Sequence, residues 1–304
     1  MDVPTPGPIP RIQRITREEF ARDYESQNKP VIIENQFDWE ALDLFRPEWF
    51  AETFGDREFN AVVKLPVKGA PGFHVVDGSL RKVTLSEFTK MMHESENPCY
   101  IRQSAVTNFP GCEKYFNFGD LVSLNGTESI ANLWIGSKNT NSSLHFDEAG
   151  GLFVQVCGRK RVKLYPPEEA KNLYAFPDNV GTSRVDPYHP DLDKYPRFAK
   201  ARGLEGVVNP GEFLFIPTTW WHQLRSLDPS ISINCFYGKC STASILKVVA
   251  ATGLSSWFAV ARDFFWLGLL HRKYETKLLA ETPTGKHFYD LVAGALKRRL
   301  GVGS

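Results

Sequence analysis

The chain of 304 residues is long enough for one large domain, or a domain with an appendage, and can bury a substantial hydrophobic core. Its formal net charge of +1 gives no indication of a nucleic-acid-binding surface. The five cysteines lack Cys-x-x-Cys spacing, so we expect reduced thiols and a cytoplasmic protein. No signal pattern begins the sequence, and the apolar run from Trp257 to Leu270 is too short to cross a membrane.

The first third of the chain carries alternating helix and strand signals, which predict an α/β segment ahead of the main sheet. Thr16 and Thr84 each stand before a glutamate at the spacing of a capping box, which marks a helix N-terminus. Asp77-Gly78 separates two extended runs and predicts a hairpin turn. His74 and His93 have no metal-ligand partner at a useful spacing, so this segment predicts no chemistry of its own.

From about residue 98 to residue 240 the sequence reads as short strands separated by glycine and proline turns. We expect strands within Tyr100 to Gln103, Gly151 to Gly158, Lys160 to Tyr165, Val208 to Pro217, Trp220 to Arg225 and Ser230 to Tyr237. Strands of this length and spacing favour an antiparallel sandwich or barrel.

A long connection from Pro166 to Val207 has few helix or strand signals. Connections of this length inside a compact domain are usually functional or mobile. We interpret it either as a rim over a substrate cleft, with Arg184, Tyr188 and Arg197 as substrate contacts, or as a proline-stiffened surface loop.

His145 and Asp147 are two positions apart, so on a β-strand their side chains project from one face. His222 lies in a later predicted strand and can complete a set of two imidazoles and one carboxylate. This set is typical of non-haem iron(II) oxygenases, because it leaves coordination positions for a cosubstrate and dioxygen. Such pairs also recur by chance, and zinc hydrolases use the same donors at other spacings, so the pair alone leaves these alternatives open.

The segments around these residues form a joint pattern. They are His145-Phe146-Asp147-Glu148, Gly158-Arg159-Lys160-Arg161, Tyr165-Pro166-Pro167, Pro210-Gly211-Glu212 and Ile216 to His222. In this order and spacing the chain resembles the JmjC/cupin-like Fe(II)- and 2-oxoglutarate-dependent oxygenases. It looks nearest to the asparaginyl-hydroxylase-like branch, typified by the factor that inhibits hypoxia-inducible factor. The resemblance covers about positions 98 to 237 well and the N-terminal portion loosely.

The resemblance implies a mainly β fold with helices, a double-stranded β-helix of the cupin or jelly-roll type. We expect an oxygenase domain over residues 1–240, with its α/β segment at 1–97 and its barrel at about 98–240, and a C-terminal helical region over residues 241–304. The implied cofactors are Fe(II) and, as cosubstrate, 2-oxoglutarate.

Lys160 is the residue that the resemblance identifies as the anchor of the far carboxylate of 2-oxoglutarate. A lysine facing the inside of a barrel is a costly buried charge unless it is paired, and a dicarboxylate provides that partner. The resemblance also implies that Tyr100 and Ser142 hold the same carboxylate and that Asn234 contacts the cosubstrate near the metal. Gly151 departs from the family pattern, which has a polar side chain there, and the loss opens space above the metal.

We therefore expect His145, Asp147 and His222 to hold iron in a dioxygenase that hydroxylates a protein or peptide side chain. A small metabolite or free amino acid is the alternative substrate, and a non-catalytic cupin-type binding protein is the alternative of a different class. A histone demethylase is disfavoured, because no reader module or basic targeting segment accompanies the core. We expect no nucleic-acid or membrane partner.

After Ser241 an apolar rhythm of 3.6 residues predicts helices. Their large side chains, Trp257, Phe264 and Phe265 among them, exceed what one buried helix face needs. The resembling branch also pairs its subunits through C-terminal helices. We therefore expect a homodimer through these helices, with packing onto the chain's own barrel as the alternative.

Overall fold

A computed structural model describes residues 3–63, 65, 80–94, 97–123, 131–238, 242–273 and 283–300. The described residues form two β-sheets, one of nine strands and one of four. In chain order the strands are β1 (Gly7–Pro8), β2 (Arg11–Gln13), β3 (Val31–Glu34), β4 (Glu58–Val62), β5 (Leu80–Thr84), β6 (Tyr100–Ala105), β7 (Asn132–Gly136), β8 (Gly150–Cys157), β9 (Lys160–Tyr165), β10 (Leu204–Val208), β11 (Phe213–Ile216), β12 (Trp221–Ser226) and β13 (Ser230–Tyr237).

The two sheets form a jelly roll. The larger has the strand order β2-β3-β11-β8-β13-β7-β6-β4-β5, and the smaller has the order β1-β10-β9-β12. Between β8 and β13 the chain passes repeatedly from one sheet to the other, and the pairs β8–β11, β8–β13 and β9–β12 are antiparallel. The predicted double-stranded β-helix with flanking helices is thereby confirmed.

Alternation along β9 sets which of its side chains face the other sheet. Val162 and Leu164 are buried in an apolar cluster that also contains Phe153 of β8. Lys160 is two residues before Val162 and therefore shares its inward face. Arg161 points outward and forms an ion pair with Glu205, 3.6 Å away, as the predicted alternation requires.

The N-terminal strands extend the same large sheet. β3 pairs with β11, and β4 pairs with β6, so the segment before residue 98 and the strands after it build one layer. The capping box at Thr16 is present: its Oγ1 accepts from the Glu19 amide at 3.2 Å, and the Glu19 carboxylate accepts from the Thr16 amide at 2.8 Å. The same pair of bonds joins Thr84 and Glu87. The predicted turn at Asp77-Gly78 lies outside the described residues, and so does His74.

Helices surround the sheets. The α-helices of the described residues are α1 (Arg17–Phe20), α2 (Ala41–Leu44), α3 (Pro47–Phe54), α4 (Leu85–Glu94), α5 (Thr242–Thr252), α6 (Leu254–Asp263) and α7 (Thr284–Leu300). The π-helices Ala21–Glu25 and Phe264–Leu269 continue α1 and α6, and 3-10 turns occupy Val106–Asn108, Cys112–Tyr115, Phe118–Asp120, Pro167–Asn172 and Pro196–Lys200. The aromatic side chains of the N-terminal helices, Phe20, Phe45, Phe50 and Phe88 among them, are buried against the outer face of the larger sheet.

The C-terminal helices pack on the barrel and also keep a large apolar surface exposed. Val248 of α5 is buried in the cluster that holds Tyr165 and Trp221 of the smaller sheet. Along α6 and the π-helix after it, the exposed large apolar side chains are Leu254, Trp257, Phe258, Phe265, Trp266 and Leu269. In the part of the chain that the structure describes, no helix has both the length and the apolar character needed to cross a membrane.

Candidate metal centre

A cavity of about 340 Å³ lies between the two sheets. Its walls come from β6, β7, β8, β11 and β13 of the larger sheet and from β9 and β12 of the smaller one. The segment between β7 and β8, the long connection before β10, and helices α5 and α7 complete its outer part.

Three side chains of metal-ligand type meet in this cavity. They are His145, Asp147 and His222, and one donor atom from each lies within 4.8 Å of the others. The Asp147 carboxylate is 4.0 Å from His145 Nε2 and 3.5 Å from His222 Nε2. The described residues contain no second group of this kind. The structure therefore brings together the three residues that the sequence predicted.

Backbone carbonyls orient both imidazoles. His145 Nδ1 lies 2.8 Å from the Ser143 carbonyl oxygen, and His222 Nδ1 lies 3.0 Å from that of Trp220. Because a carbonyl only accepts, we assign the proton to Nδ1, so each Nε2 atom carries a lone pair that faces Asp147 and can bind a metal. Burial lowers the pKa of His222 to about 4, helped by nearby His145 and opposed by Asp147, so this imidazole is neutral at physiological pH.

The backbone that carries His145 and Asp147 is not a continuous strand, contrary to our expectation. Isolated bridges join Asn141 to Arg225 and His145 to His222 beside β12. At the second bridge the His222 amide donates to the His145 carbonyl at 2.7 Å, and the reverse bond is 3.1 Å long. The two histidines are thus fixed directly opposite each other, with ring centroids 4.2 Å apart.

The segment from Leu144 to Asp147 lies between two partners. On one side the Phe146 amide donates to the carbonyl of Gly181 in the long connection, at 2.9 Å, and on the other side the Asp147 carbonyl accepts from the amide of Thr219, at 3.0 Å. The Phe146 ring is buried edge-on against Trp221, with centroids 5.0 Å apart. The side chains on either side of it, His145 and Asp147, still project together into the cavity, as their spacing predicted.

Lys160 carries a buried amine at the inner end of the cavity, with 2% of its surface exposed. Its Nζ donates to Ser232 Oγ at 2.8 Å and lies 5.3 Å and 5.8 Å from the ring centroids of Phe153 and Tyr100. No carboxylate of the described residues pairs with it, and burial lowers its pKa to about 7. A buried amine with only a hydroxyl partner fits the carboxylate of a ligand, which would restore its charge.

The other three predicted cosubstrate residues line the same cavity. Burial raises the pKa of Tyr100, which keeps its phenol neutral. The amide oxygen of Asn234 accepts from Trp134 Nε1 at 2.6 Å, which fixes the orientation of that amide. Ser142 Oγ accepts from the amide of Leu224 at 3.1 Å, so its hydroxyl is tied to β12 and not to Lys160. Their roles toward a cosubstrate stay predictions.

Comparison with known proteins identifies the family. Residues 16–243 match the cupin-like domain. This chain belongs to the cupin-like (JmjC) family. Lysine-specific demethylase 8 of Xenopus tropicalis is 31% identical over 238 residues, which are 75% of this chain and 52% of that protein. The tRNA wybutosine-synthesizing protein 5 of Danio rerio is 28% identical over 250 residues, 75% of this chain and 74% of that protein. HSPB1-associated protein 1 of Rattus norvegicus is 42% identical over 116 residues, 36% of this chain and 24% of that protein.

These matches confirm the predicted family. The chain spans about half the length of the demethylase relative, at 52%. We therefore treat the activities, substrates and partners of these longer proteins only as proposals for this chain.

Gly151 lines the cavity at the position where the sequence departs from the resembling branch. A Cβ atom there would meet Ile216 Cβ at 3.6 Å, an ordinary van der Waals contact, so the surroundings tolerate a side chain at this position. That its absence opens space above the metal stays a prediction.

The long connection does form part of the cavity rim, but through other residues than those predicted. Residues 179–182 line the cavity, and none of the three predicted contacts does. Arg184 donates to the carbonyl of Tyr174, Arg197 stacks on the Tyr174 ring at 4.5 Å, and Tyr188 donates to the carbonyl of Arg161. These long side chains fold back onto their own connection and the neighbouring strand, because aromatic rings and carbonyls are available there.

The sequence did not predict the C-terminal contribution to the cavity. Ile245 of α5 and Thr284 and His287 of α7 line its outer end, where His287 Nε2 lies 2.9 Å from the Glu148 carboxylate. The Nε2 atom makes no aligned hydrogen bond within the described residues, and the contact is an ion pair when His287 is protonated. The interaction with Glu148 raises the pKa of His287 against partial burial. No local signal could reveal this pair, since its members are far apart in the sequence.

Proposed function

We propose that this chain is an Fe(II)- and 2-oxoglutarate-dependent dioxygenase that hydroxylates a protein or peptide side chain. The observation that supports it is the presence, in one cavity, of two donor arrangements. One is the set of two histidines and one carboxylate, which fits a divalent metal with open coordination positions. The other is buried Lys160, which fits the far carboxylate of a dicarboxylate ligand. Members of the JmjC family typically use this combination.

In this proposal His145 and His222 would hold the iron through Nε2, and Asp147 would hold it through its carboxylate. Lys160, together with Tyr100 and Ser142, would bind the far carboxylate of 2-oxoglutarate. When bound, iron and 2-oxoglutarate supply the oxidation by dioxygen that inserts an oxygen atom into a C–H bond.

The chain's own contribution is orientation and exclusion of water. Ser143 and Trp220 fix the imidazole tautomers through their carbonyl groups, so no proton has to leave an Nε2 atom when the metal binds. Phe146, Phe153 and Ile216 supply apolar wall in the same cavity as the metal-ligand side chains. Such a wall strengthens every polar contact made inside it.

The substrate is the least constrained part of the proposal. One relative is named for a demethylase and another for tRNA modification, so protein and RNA substrates both belong in the test. A protein side chain remains our first choice, with a small metabolite or free amino acid as the alternative. A cupin-type binding protein without turnover is the alternative from another class, and the donor set together with Lys160 disfavours it.

Turnover is the decisive experiment. The protein is incubated with Fe(II), ascorbate and 2-oxoglutarate, and succinate release is measured with peptide, metabolite and RNA fractions of cell extract. Mass spectrometry then identifies a product heavier by one oxygen atom, and formaldehyde release marks demethylation instead. Asp147→Ala is the matched inactive control. If no fraction raises succinate release in the wild-type protein above that control, the enzyme proposal is wrong.

For assembly we propose the homodimer through the C-terminal helices. The support for it is the row of exposed large apolar side chains along α6 and the π-helix after it, among them Phe258 at 74% exposure. Neighbouring apolar side chains exposed in this way are usually buried against a partner. A second copy presents the same row, so the contact can close on itself about a two-fold axis. A cytoplasmic location is retained as a prediction.

A further inference from the structure

The polar side chains of the cavity become progressively more exposed from its inner to its outer end. Lys160 is 2% exposed, and the side chains of His222, His145 and Asp147 are 7%, 16% and 32% exposed. The outer pair, Glu148 and His287, is 45% and 41% exposed. Entry from solvent therefore passes the Glu148–His287 pair first and reaches Lys160 last.

Helix α7 forms one side of this entrance through its first turn. The amide of Thr284 donates to the carbonyl of Asp178 at 2.8 Å, and Thr284 Oγ1 accepts from the amide of Val180 at 3.1 Å. On the next helical turn His287 meets Glu148, the residue that directly follows the metal-ligand side chain Asp147. The first turn of α7 thus joins two rim segments that are separate in the sequence.

Apolar packing fixes the position of α7 on its rear side. Val180, Val260 and Phe288 belong to one buried cluster, which ties the long connection, α6 and α7 together. Gly285 allows the close approach, since a Cβ atom there would clash with the Val260 carbonyl. This packing holds the helix against residues 178–180 but places no apolar contact between His287 and Glu148.

We propose that His287 is a positioning residue of the substrate site, because its contact with Glu148 closes the cavity entrance between α7 and residues 145–148. Only the nature of the molecule that enters the cavity rests on the proposed function. The closure of the entrance by His287 and Glu148 does not depend on it. The entrance opens at this contact because a half-exposed ion pair is weaker than the backbone bonds and the apolar cluster beside it.

The first measurement is amide hydrogen exchange, followed by mass spectrometry on the full-length protein as purified. The variants are His287→Glu, which sets two carboxylates against each other, His287→Gln, which keeps an N–H donor, and Glu148→Gln. In segments 145–148 and 284–288 we expect exchange about two- to fivefold faster in His287→Glu and Glu148→Gln, the range that a half-exposed ion pair supports. His287→Gln, which removes the charge without adding a second carboxylate, should accelerate exchange less than His287→Glu. The matched control is Lys286→Ala, which removes an ion pair with Asp290 on the same turn but away from the cavity, and it should leave segment 145–148 unchanged.

The second measurement uses Mn²⁺ as the probe, bound together with 2-oxoglutarate. Its transfer to excess chelator should be faster by a similar factor in His287→Glu and in Glu148→Gln, and the double variant should add nothing, because both changes break one contact. The affinity for 2-oxoglutarate should stay at the wild-type value, since Lys160 lies at the other end of the cavity.

Equal exchange in the wild type, His287→Glu and Glu148→Gln overturns the proposal, and so does altered exchange with unchanged release of Mn²⁺. If the wild type binds no Mn²⁺ at all, the proposed function is overturned instead, and the exchange result alone decides whether His287 closes the entrance. If His287→Glu does not fold, Glu148→Gln provides the same comparison with a smaller change.

Discussion

Replacing Lys160 with methionine is expected to stabilise the ligand-free protein and to reduce strongly the further stabilisation by 2-oxoglutarate. Burial lowers the pKa of Lys160 from 10.5 to about 7, so the folded chain holds this proton less tightly than the unfolded chain. At about 1.4 kcal/mol per pKa unit, the difference opposes folding by roughly 4 kcal/mol at neutral pH. The hydrogen bond to Ser232 offsets only about 1 kcal/mol. We therefore expect Lys160→Met, which keeps the length and the apolar stem, to raise the free energy of unfolding by about 2–3 kcal/mol.

The stability difference between Lys160→Met and the wild type should decrease as the pH rises. Because the folded pKa lies below the unfolded one, the unfolded chain binds more protons between pH values of about 7 and 10.5, and wild-type stability rises across that window. Methionine does not titrate. The gap between variant and wild type should be full below about pH 7 and should close as the pH approaches 10.5.

Urea denaturation, with and without Mn²⁺ plus 2-oxoglutarate, is the assay. At a ligand concentration about 100 times Kd the wild type should gain about 2.7 kcal/mol, and Lys160→Met should gain much less. The matched control is Lys163→Met on the same strand, whose amine already donates to the Pro187 carbonyl at 2.9 Å and lies 3.6 Å from Glu205. It should lose stability and keep the ligand response. A Lys160→Met protein that is less stable than the wild type at neutral pH would refute the reasoning.

Three further predictions concern the metal, the proton and the assembly. Asp147→Ala should lose Mn²⁺ binding, measured by electron paramagnetic resonance, because the substitution removes the only carboxylate of the donor set. Its circular dichroism spectrum should stay unchanged. A variant that binds Mn²⁺ normally shows that the assignment of the metal ligands is wrong. At about pH 8 the protein should take up protons when 2-oxoglutarate binds, since a carboxylate partner raises the pKa of Lys160 from about 7. Titration calorimetry in buffers of different ionisation enthalpy should show this uptake. Its absence contradicts the assignment of Lys160 as the residue that binds the far carboxylate. Phe258→Glu should convert the dimer to a monomer in light scattering without loss of stability, because this ring is 74% exposed; a wild-type chain that is monomeric at micromolar concentration contradicts the dimer.

The barrel strands and the inner end of the cavity could be predicted because their signals are local. The observed bounds of β9 and β13 are those that the glycine and proline turns indicated. Alternation then placed Lys160 inward and Arg161 outward, as the structure shows. The spacing of His145 and Asp147 determined their common direction even though the backbone between β7 and β8 is irregular.

Features that depend on distant pairing were missed. Strands β1 and β10 pair Gly7 with Leu204, and neither run shows apolar alternation strong enough to predict a strand. The entrance pair, Glu148 and His287, joins the barrel to a helix that the sequence marks only as amphipathic. Phe264 illustrates the same limit: it packs against the buried cluster around Val260, whereas Phe258 on the same helical region is exposed, so apolar character alone did not tell which ring faces outward.

The register of β9 against β12 determines which side chains lie at both ends of the cavity. β9 and β12 are antiparallel neighbours, with Lys160 opposite Ser226 and Leu164 opposite His222. A slip of one residue along β9 would turn Lys160 outward and bring Arg161 inward, because side chains alternate between the faces of a sheet. The turn before β9 resists such a slip: Gly158 has a φ of +69°, and a Cβ atom there would clash with the carbonyl of Pro229, the residue directly before β13. Gly158 has no side chain that could bind a ligand. Its turn nevertheless keeps β9 in the register that places both Lys160 and His222 in the same cavity.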